Sequence, residues 1–310
     1  MSSTSPRRGM LDSLQQFTAH TDLVTLAFSN DGAGVFAARD IDKGQILLEL
    51  RNDYFFDVES FHLHDDRALK ETYLKSLPDE AELRSLYPHY HDKDLADDLK
   101  QMFSKSRLWK HSAARASDVC RDETKNRTIR IWKLTRAFMV GGRAVFLPVI
   151  DIVNHAARPN VSREVFDDKV VMRAVERIEA GQEIMSKFSD MDPLSIFLSH
   201  GFFDRPNRFL RYEISIEGMN LAFRLEDGSA KFEIGNETLR RPMRLAVVLA
   251  LIDALSSDLA ILRNSTLEPG WIRKFPDFAR SFERAVGRTS KLVDSALTVL
   301  RSAKINLESQ

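Results

Sequence analysis

The sequence predicts an α+β protein in which a β-rich core is split by a helical insertion and followed by a helical C-terminal domain. Three observations carry this. Short strand-like runs separated by turn signals occupy 21–50. Helix formers, with apolar residues at three- and four-residue spacing, fill 56–140. Strand texture then returns at 144–153, 161–175 and 183–188. The segments that follow are a tail at 1–20, a first core half at 21–55, an insert at 56–129, a second core half at 130–205 and a helical domain at 206–310.

Each element has its own signal. Leu23-Val24-Thr25-Leu26-Ala27-Phe28, Gly34-Val35-Phe36-Ala37-Ala38 and Gln45-Ile46-Leu47-Leu48-Glu49-Leu50 read as strands, with Asn30-Asp31-Gly32 and Asp42-Lys43-Gly44 as turns between them. In the insert, Leu69, Tyr73 and Leu77, then Leu95, Leu99 and Phe103, repeat at helical spacing. Beyond Asn207 one strand-like stretch, 211–216, precedes a mostly helical remainder, notably 239–262 and 276–302.

Composition bounds the function. Hydrophobic residues make up 43% of the 310, enough for a sizeable core. Forty-five basic residues balance forty-five acidic ones, so no global field draws the chain to nucleic acid or to a membrane, and neither is an expected partner. The apolar run 245–252 meets Asp253 and is too short to span a bilayer. A single cysteine, Cys120, excludes an internal disulfide or a cysteine-zinc cluster, and no metal is expected. With no apolar segment in 1–10, the expected location is cytoplasmic.

Several motifs compete for chemical readings. Gly32-Ala33-Gly34-Val35-Phe36-Ala37 fits a dinucleotide fingerprint, with Asp53 at a suitable distance. That reading requires a helix to follow, whereas Asp42-Lys43-Gly44 breaks the chain first, so a glycine hairpin is the better account. Asp151-Ile152-Val153-Asn154-His155, closed by Pro159-Asn160, follows a hydrophobic strand and reads as a binding motif or as a capped turn with a satisfied histidine. The pairs His62/His64 and His89/His91 lie in helical sequence, where i and i+2 point apart, and read as solvated surface histidines. Cys120 has no base partner in sequence and reads as inert. Asp190-Met191-Asp192-Pro193 reads as a loop and helix cap.

In order along the chain these motifs resemble the SET family of N-methyltransferases, in the class of the Rubisco large-subunit lysine methyltransferase. The residues 31–44 resemble its opening hairpin, Thr135-Arg136-Ala137-Phe138 its Ser-Arg-x-Phe element, and Asp151-x-x-Asn154-His155 its Asp-x-x-Asn-His signature. Ala180-Gly181-Gln182-Glu183-Ile184 resembles its Ala-Gly-Glu-Glu-Ile turn, and His200-Gly201-Phe202 stands where the family has Tyr-Gly-Phe. The family also has a helical insert and a helical C-terminal domain. The resemblance implies that S-adenosyl-L-methionine lies against Asp31, Gly32, Ala33 and Gly34, with Thr135 and Arg136 beside its carboxylate end. Asp151, Asn154 and His155 complete the cofactor contacts. The implied partner is a protein or small molecule with a methylatable nitrogen.

Two departures bear on the acceptor. Phe188 and His200 occupy the catalytic positions where lysine-modifying relatives carry tyrosines. Lysine must lose a proton before it attacks, at a cost of about 4–5 kcal/mol at neutral pH, whereas imidazole is mostly neutral there. A protein lysine is the default by family habit. A histidine, as in the related actin histidine methyltransferase, or the nitrogen of a small molecule is the rival, and a non-catalytic SET module is the third reading.

Overall fold

The computed structural model describes residues 22–29, 32–58, 71, 73–75, 77–122, 124–188, 191–202, 209–216, 219–226, 229–234 and 241–309. In chain order the strands are β1 (Val24–Ser29), β2 (Gly32–Ala37), β3 (Ile46–Arg51) and β4 (Phe56–Asp57). Then come α1 (Glu80–Leu86), α2 (Lys93–Met102), α3 (Lys110–Cys120) and α4 (Thr124–Arg136). The second run of strands is β5 (Phe138–Val140), β6 (Arg143–Phe146), β7 (Asn154–His155), β8 (Val161–Val165), β9 (Lys169–Ala174) and β10 (Met185–Ser186). The remainder is α5 (Pro193–His200), β11 (Phe209–Ile216), β12 (Met219–Glu226), β13 (Ser229–Ile234), α6 (Arg241–Arg263), α7 (Pro269–Lys274) and α8 (Pro276–Ser309). This is the α+β class that the sequence predicts.

The chain divides into two compact units, one of Met1–Glu82 with Thr128–Phe188, the other of Leu83–Arg127 with Ser189–Gln310. The first is assembled from small sheets. β1 and β2 form the antiparallel hairpin that the glycines signal, with Val24 opposite Ala37. A three-stranded sheet has the order β3-β9-β8, another the order β4-β6-β5, and β7 pairs with β10 in parallel. Strands this short expose most of their backbone polar groups unless loops close them. Here loops do so: Ala37 N donates to Gln182 O, Ile184 N to Val35 O and Ala156 N to Ser186 O. Leu48 and Leu50, with Val170 and Met172, alternate inward, and Leu47 at the irregularity in β3, Val35 and Ile184 join them in the core.

In the second unit α2, α3 and α5 pack with the long helices α6 and α8, and β11-β12-β13 form an antiparallel sheet beside them. Two further strands, β12 and β13, join the one strand-like stretch expected here, and the rest of the described remainder is helical as expected. Phe223 and Leu225 are buried while Arg224 and Glu226 between and beyond them are only half-buried, a period of two that is short enough to be overlooked between turns. Helix α6 runs past Asp253, as the helical segment expected over 239–262 does. Its second carboxylate, Asp258, is buried and accepts from Tyr212 Oη and Arg107 N, so it is satisfied within the fold. By length and composition 245–263 is the one helix among the described residues long and apolar enough to cross a membrane; in this fold Leu251, Leu255 and Leu259 belong to the core.

Candidate active site

The first unit brings six of the sequence-predicted residues into connected geometry, centred on the short parallel pair. Asn154 stands opposite Met185 and His155 opposite Ser186. Asn160 clamps the pair from within: its Nδ2 donates to Glu183 O at 2.8 Å, and its Oδ1 accepts from Met185 N at 2.8 Å. The Pro-Asn closure of the motif is therefore a device that holds two strands of two residues each, which their own ladder could not do.

Gly34 meets this pair from β2. The amide of Asn154 donates to Glu183 Oε1 at 2.7 Å. A Cβ on Gly34 would lie 2.6 Å from that same oxygen and 3.2 Å from Asn154 Nδ2. The glycine is required by close approach of the Asn-Glu pair, not by backbone angle. Gly32 and Ala33 lie in β2 next to it; Asp31 lies outside the described residues.

His155 is buried, and Phe188 N donates to its Nδ1 at 3.0 Å. An amide hydrogen pointing at Nδ1 fixes the tautomer: in the neutral ring the hydrogen sits on Nε2. The ring of Phe188 packs on that imidazole at 5.2 Å between centroids. Phe188 is thus tied to the signature histidine by both its backbone and its ring.

The approach to the motif is strained. Val149 has φ 71° and ψ −46°, a region that a β-branched side chain rarely adopts. The strain sets up a 3-10 turn, Ile150–Ile152, which turns Asp151 inward. Asp151 is buried, and Tyr73 Oη donates to its Oδ2 at 2.5 Å. Its Oδ1 is buried with no hydrogen-bond partner among the described residues. Desolvation pushes the Asp151 carboxyl up to about 6, against the opposing pull of Arg136 and of the Tyr73 hydrogen bond. Arg136, at the end of α4, donates from Nη1 to the backbone oxygen of Asp151 at 3.1 Å. Thr135 turns its hydroxyl back to Ile131 O, four residues earlier, so that group is engaged within its own helix.

Tyr73 was missed as a site residue. Its spacing marks it as a core position, and nothing local marks its hydroxyl as the partner of a carboxylate 78 residues away. In sequence Glu183 is only part of the Ala180–Ile184 turn; its bond to Asn154 depends on a parallel pairing that no local pattern reveals.

His200 belongs to the second unit, in the last turn of α5. Asp192 caps that helix, accepting from Leu194 N and Ser195 N, with Pro193 at the first helical position, as the sequence suggests. Gly201 ends it at φ 73°, and a Cβ there would lie 2.6 Å from Tyr87 Cε1. His200 is half-buried and its ring lies 6.0 Å from Phe202.

Two histidine readings are settled differently. His62 and His64 lie outside the described residues. His89 is fully buried, not solvated: the turn Pro88–Tyr90 packs all three side chains inward, and His89 Nε2 lies 3.0 Å from Leu198 O. Burial pushes its imidazole down to about 4. The thiol of Cys120 is buried and pushed up to about 11 by desolvation, in keeping with an inert thiol. Among the described residues no cluster of metal-ligating side chains occurs.

A family model describing the SET domain matches residues 32–189, more than half of the chain, and the chain belongs to the SET domain family. No curated protein sequence matches it. Among solved structures it is similar to Rubisco LSMT bound to AdoMet, at 12% identity over 98% of this chain and 94% of that one, with a TM-score of 0.56. It is likewise similar to the SET domain of LSMT bound to MeLysine and AdoHcy, at 15% identity over 99% and 94%, with a TM-score of 0.55. These likenesses establish the fold.

Proposed function

We propose that this chain is an S-adenosyl-L-methionine-dependent N-methyltransferase of SET type, acting on a protein lysine by family default. The observation that supports it most is the knot of Gly34, Asn154 and Glu183 on the short β7–β10 pair, where a glycine admits the close approach of a hydrogen-bonded Asn-Glu pair to the backbone of β2. The same ligand fits the second cluster. A methionine moiety carries an ammonium and a carboxylate. Asp151, buried with one oxygen lacking a partner, suits the first, and Arg136 suits the second. Solved relatives bound to AdoMet or AdoHcy support the same choice.

When bound, the sulfonium of S-adenosyl-L-methionine supplies an electrophilic methyl group. The chain's part is to hold and orient: Gly34 and Asn154 position backbone, His155 is fixed as one tautomer, and Phe188 gives an apolar wall. An acceptor nitrogen would need a free lone pair to take that methyl group, so the site would have to hold it unprotonated. His200 is the residue proposed to orient or deprotonate it. The segment from 206 onward is proposed to recognise the substrate.

A second reading, a nitrogen other than lysine, is favoured by Phe188. An aromatic wall without a hydroxyl suits a neutral ring or a small uncharged nitrogen better than an ammonium. Incubation of the purified protein with labelled S-adenosyl-L-methionine and a cell extract separates the readings. Label on protein lysine supports the first, and label on histidine or a small molecule the second. No transfer, despite intact cofactor binding, would leave the non-catalytic module.

A further inference from the structure

Asp151 is held in the first unit at two costs that packing does not explain. Its side chain is buried, and Oδ1 has no hydrogen-bond partner among the described residues. A carboxylate oxygen left in that state destabilises a fold, and an apolar side chain of similar volume would remove the penalty. The second cost lies two residues earlier. Val149, at φ 71°, takes a backbone conformation that opposes its branched side chain, and the turn 150–152 that carries Asp151 inward starts from it.

The other oxygen is fixed by the insert. Tyr73 Oη donates to Oδ2 at 2.5 Å. Burial, and then the charge of Asp151, hold that hydroxyl well above the usual tyrosine range, so it stays a donor. Its ring is placed by Phe56 at 5.2 Å and Phe146 at 6.0 Å, which are paired residues of β4 and β6. The last torsion of an aspartate is soft, and one strong bond to Oδ2 stops it, leaving Oδ1 as the oxygen on offer. Arg136 completes the arrangement. Its Nη1 donates to Asp151 O at 3.1 Å, and its guanidinium has no ion pair among the described residues. Trp132, on the same helix α4, donates from Nε1 to Pro78 O at 3.1 Å, tying that helix to the segment that follows Tyr73. An unpartnered carboxylate oxygen near a guanidinium with donors to spare complements an amino-acid end, which carries one ammonium and one carboxylate.

We propose that Tyr73 is a positioning residue for the methyl donor: by holding Oδ2 of Asp151 it leaves Oδ1 as a fixed acceptor for the donor's ammonium, and donor binding is thereby coupled to loss of the Asp151 proton. The proposal rests on the methyltransferase reading and adds how the amino-acid end is selected and at what pH. Among the described residues, Arg136 from α4 and Tyr73 from the insert are the charged and titratable groups that bear on this carboxyl. Desolvation outweighs both and pushes it up to about 6, so below that pH the empty site carries a proton. An ammonium needs the ionised form. Donor affinity therefore falls as pH falls through about 6 and levels off above it.

The test is calorimetric titration of the full chain with three ligands. They are S-adenosyl-L-homocysteine, its deaminated analogue, which keeps the carboxylate, and methylthioadenosine, which has neither charge. Wild type at pH 7.5 is expected to prefer S-adenosyl-L-homocysteine over the deaminated analogue by about tenfold or more. Between pH 7.5 and 5.0 that affinity should fall about tenfold, while affinity for methylthioadenosine stays level. Asp151→Asn should lose the preference and flatten the curve. Tyr73→Phe keeps the ring between Phe56 and Phe146 and removes only the hydroxyl. Without that hydrogen bond the carboxyl rises, so the midpoint of the curve should move up by about half a unit or more. The loss of affinity at pH 7.5 should then shrink as pH is raised, which a merely structural defect would not do. Equal wild-type affinity for the first two ligands would overturn the proposal and leave the methyltransferase reading standing. So would a Tyr73→Phe curve that matches wild type, or an equal loss for all three ligands. No binding of S-adenosyl-L-homocysteine to wild type would remove both.

Discussion

Asn154 Nδ2 donates to Glu183 Oε1 at 2.7 Å, and these two atoms lie 3.2 and 2.6 Å from where a Cβ on Gly34 would sit. The pair joins the signature strand β7 to the segment that bridges to β2 through Phe36 and Glu183. Gly34→Ala would force the Glu183 carboxylate aside and break the pair. The carboxylate is the far end of a flexible chain, so the fold should survive, at a cost of about 1–3 kcal/mol. Affinity for S-adenosyl-L-methionine should fall at least tenfold, about 1.4 kcal/mol. Wild-type affinity in the Ala variant would show that the close approach is structural only.

Asp151 links stability to binding. Its folded carboxyl titrates near 6, above the 3.8 of an unfolded chain, because it is buried. Between those values the native state holds more proton than the unfolded state, so this group makes stability fall as pH rises from about 4 to 6. Above pH 6 the ionised carboxylate costs up to about 3 kcal/mol. Asp151→Asn can still accept from Tyr73, so it should melt higher than wild type at pH 7.5 and lose that slope. It should also bind S-adenosyl-L-methionine more weakly, since the acceptor for an ammonium is gone. Differential scanning calorimetry across pH 4 to 8 checks the first, and a lower melting temperature of the variant at pH 7.5 would contradict it.

Gly201 is the other glycine whose substitution should be costly. Its φ of 73° and the approach of Tyr87 and Leu86 O leave no room for a Cβ. Gly201→Ala should destabilise the chain by about 2–4 kcal/mol, read as a shift in the urea midpoint. A shift smaller than that of an exposed helix substitution would mean that the α5 C-terminus relaxes freely.

Much of this was legible in the sequence, and the limits have physical causes. Turn glycines and alternating apolar residues marked β1, β2 and β3, and the Asp192-Pro193 cap marked α5, because each signal is local. The signature Asp151, Asn154 and His155 stood out for the same reason. Glu183 and Tyr73 did not, since their roles arise from contacts between distant segments. His89 read as solvated because one polar residue in a helical stretch looks exposed until the turn that buries it is known. β12 and β13 were passed over because an alternation of four residues between short turns is weak against a helical background.

His200, in the last turn of α5, carries the acceptor side of the reading. Once labelling identifies the native acceptor, His200→Ala should reduce turnover at least tenfold, about 1.4 kcal/mol of barrier, with little change in cofactor affinity. Normal turnover in His200→Ala would remove the residue from the chemistry.

The most direct measurement is calorimetric titration of the full chain with S-adenosyl-L-methionine and with its demethylated product. One saturable site is expected for each in wild type. Replacing Asn154 and His155 together by Ala should abolish it while the circular dichroism spectrum stays unchanged. No binding to wild type at millimolar ligand, or full binding to the double variant, would contradict the assignment of this site.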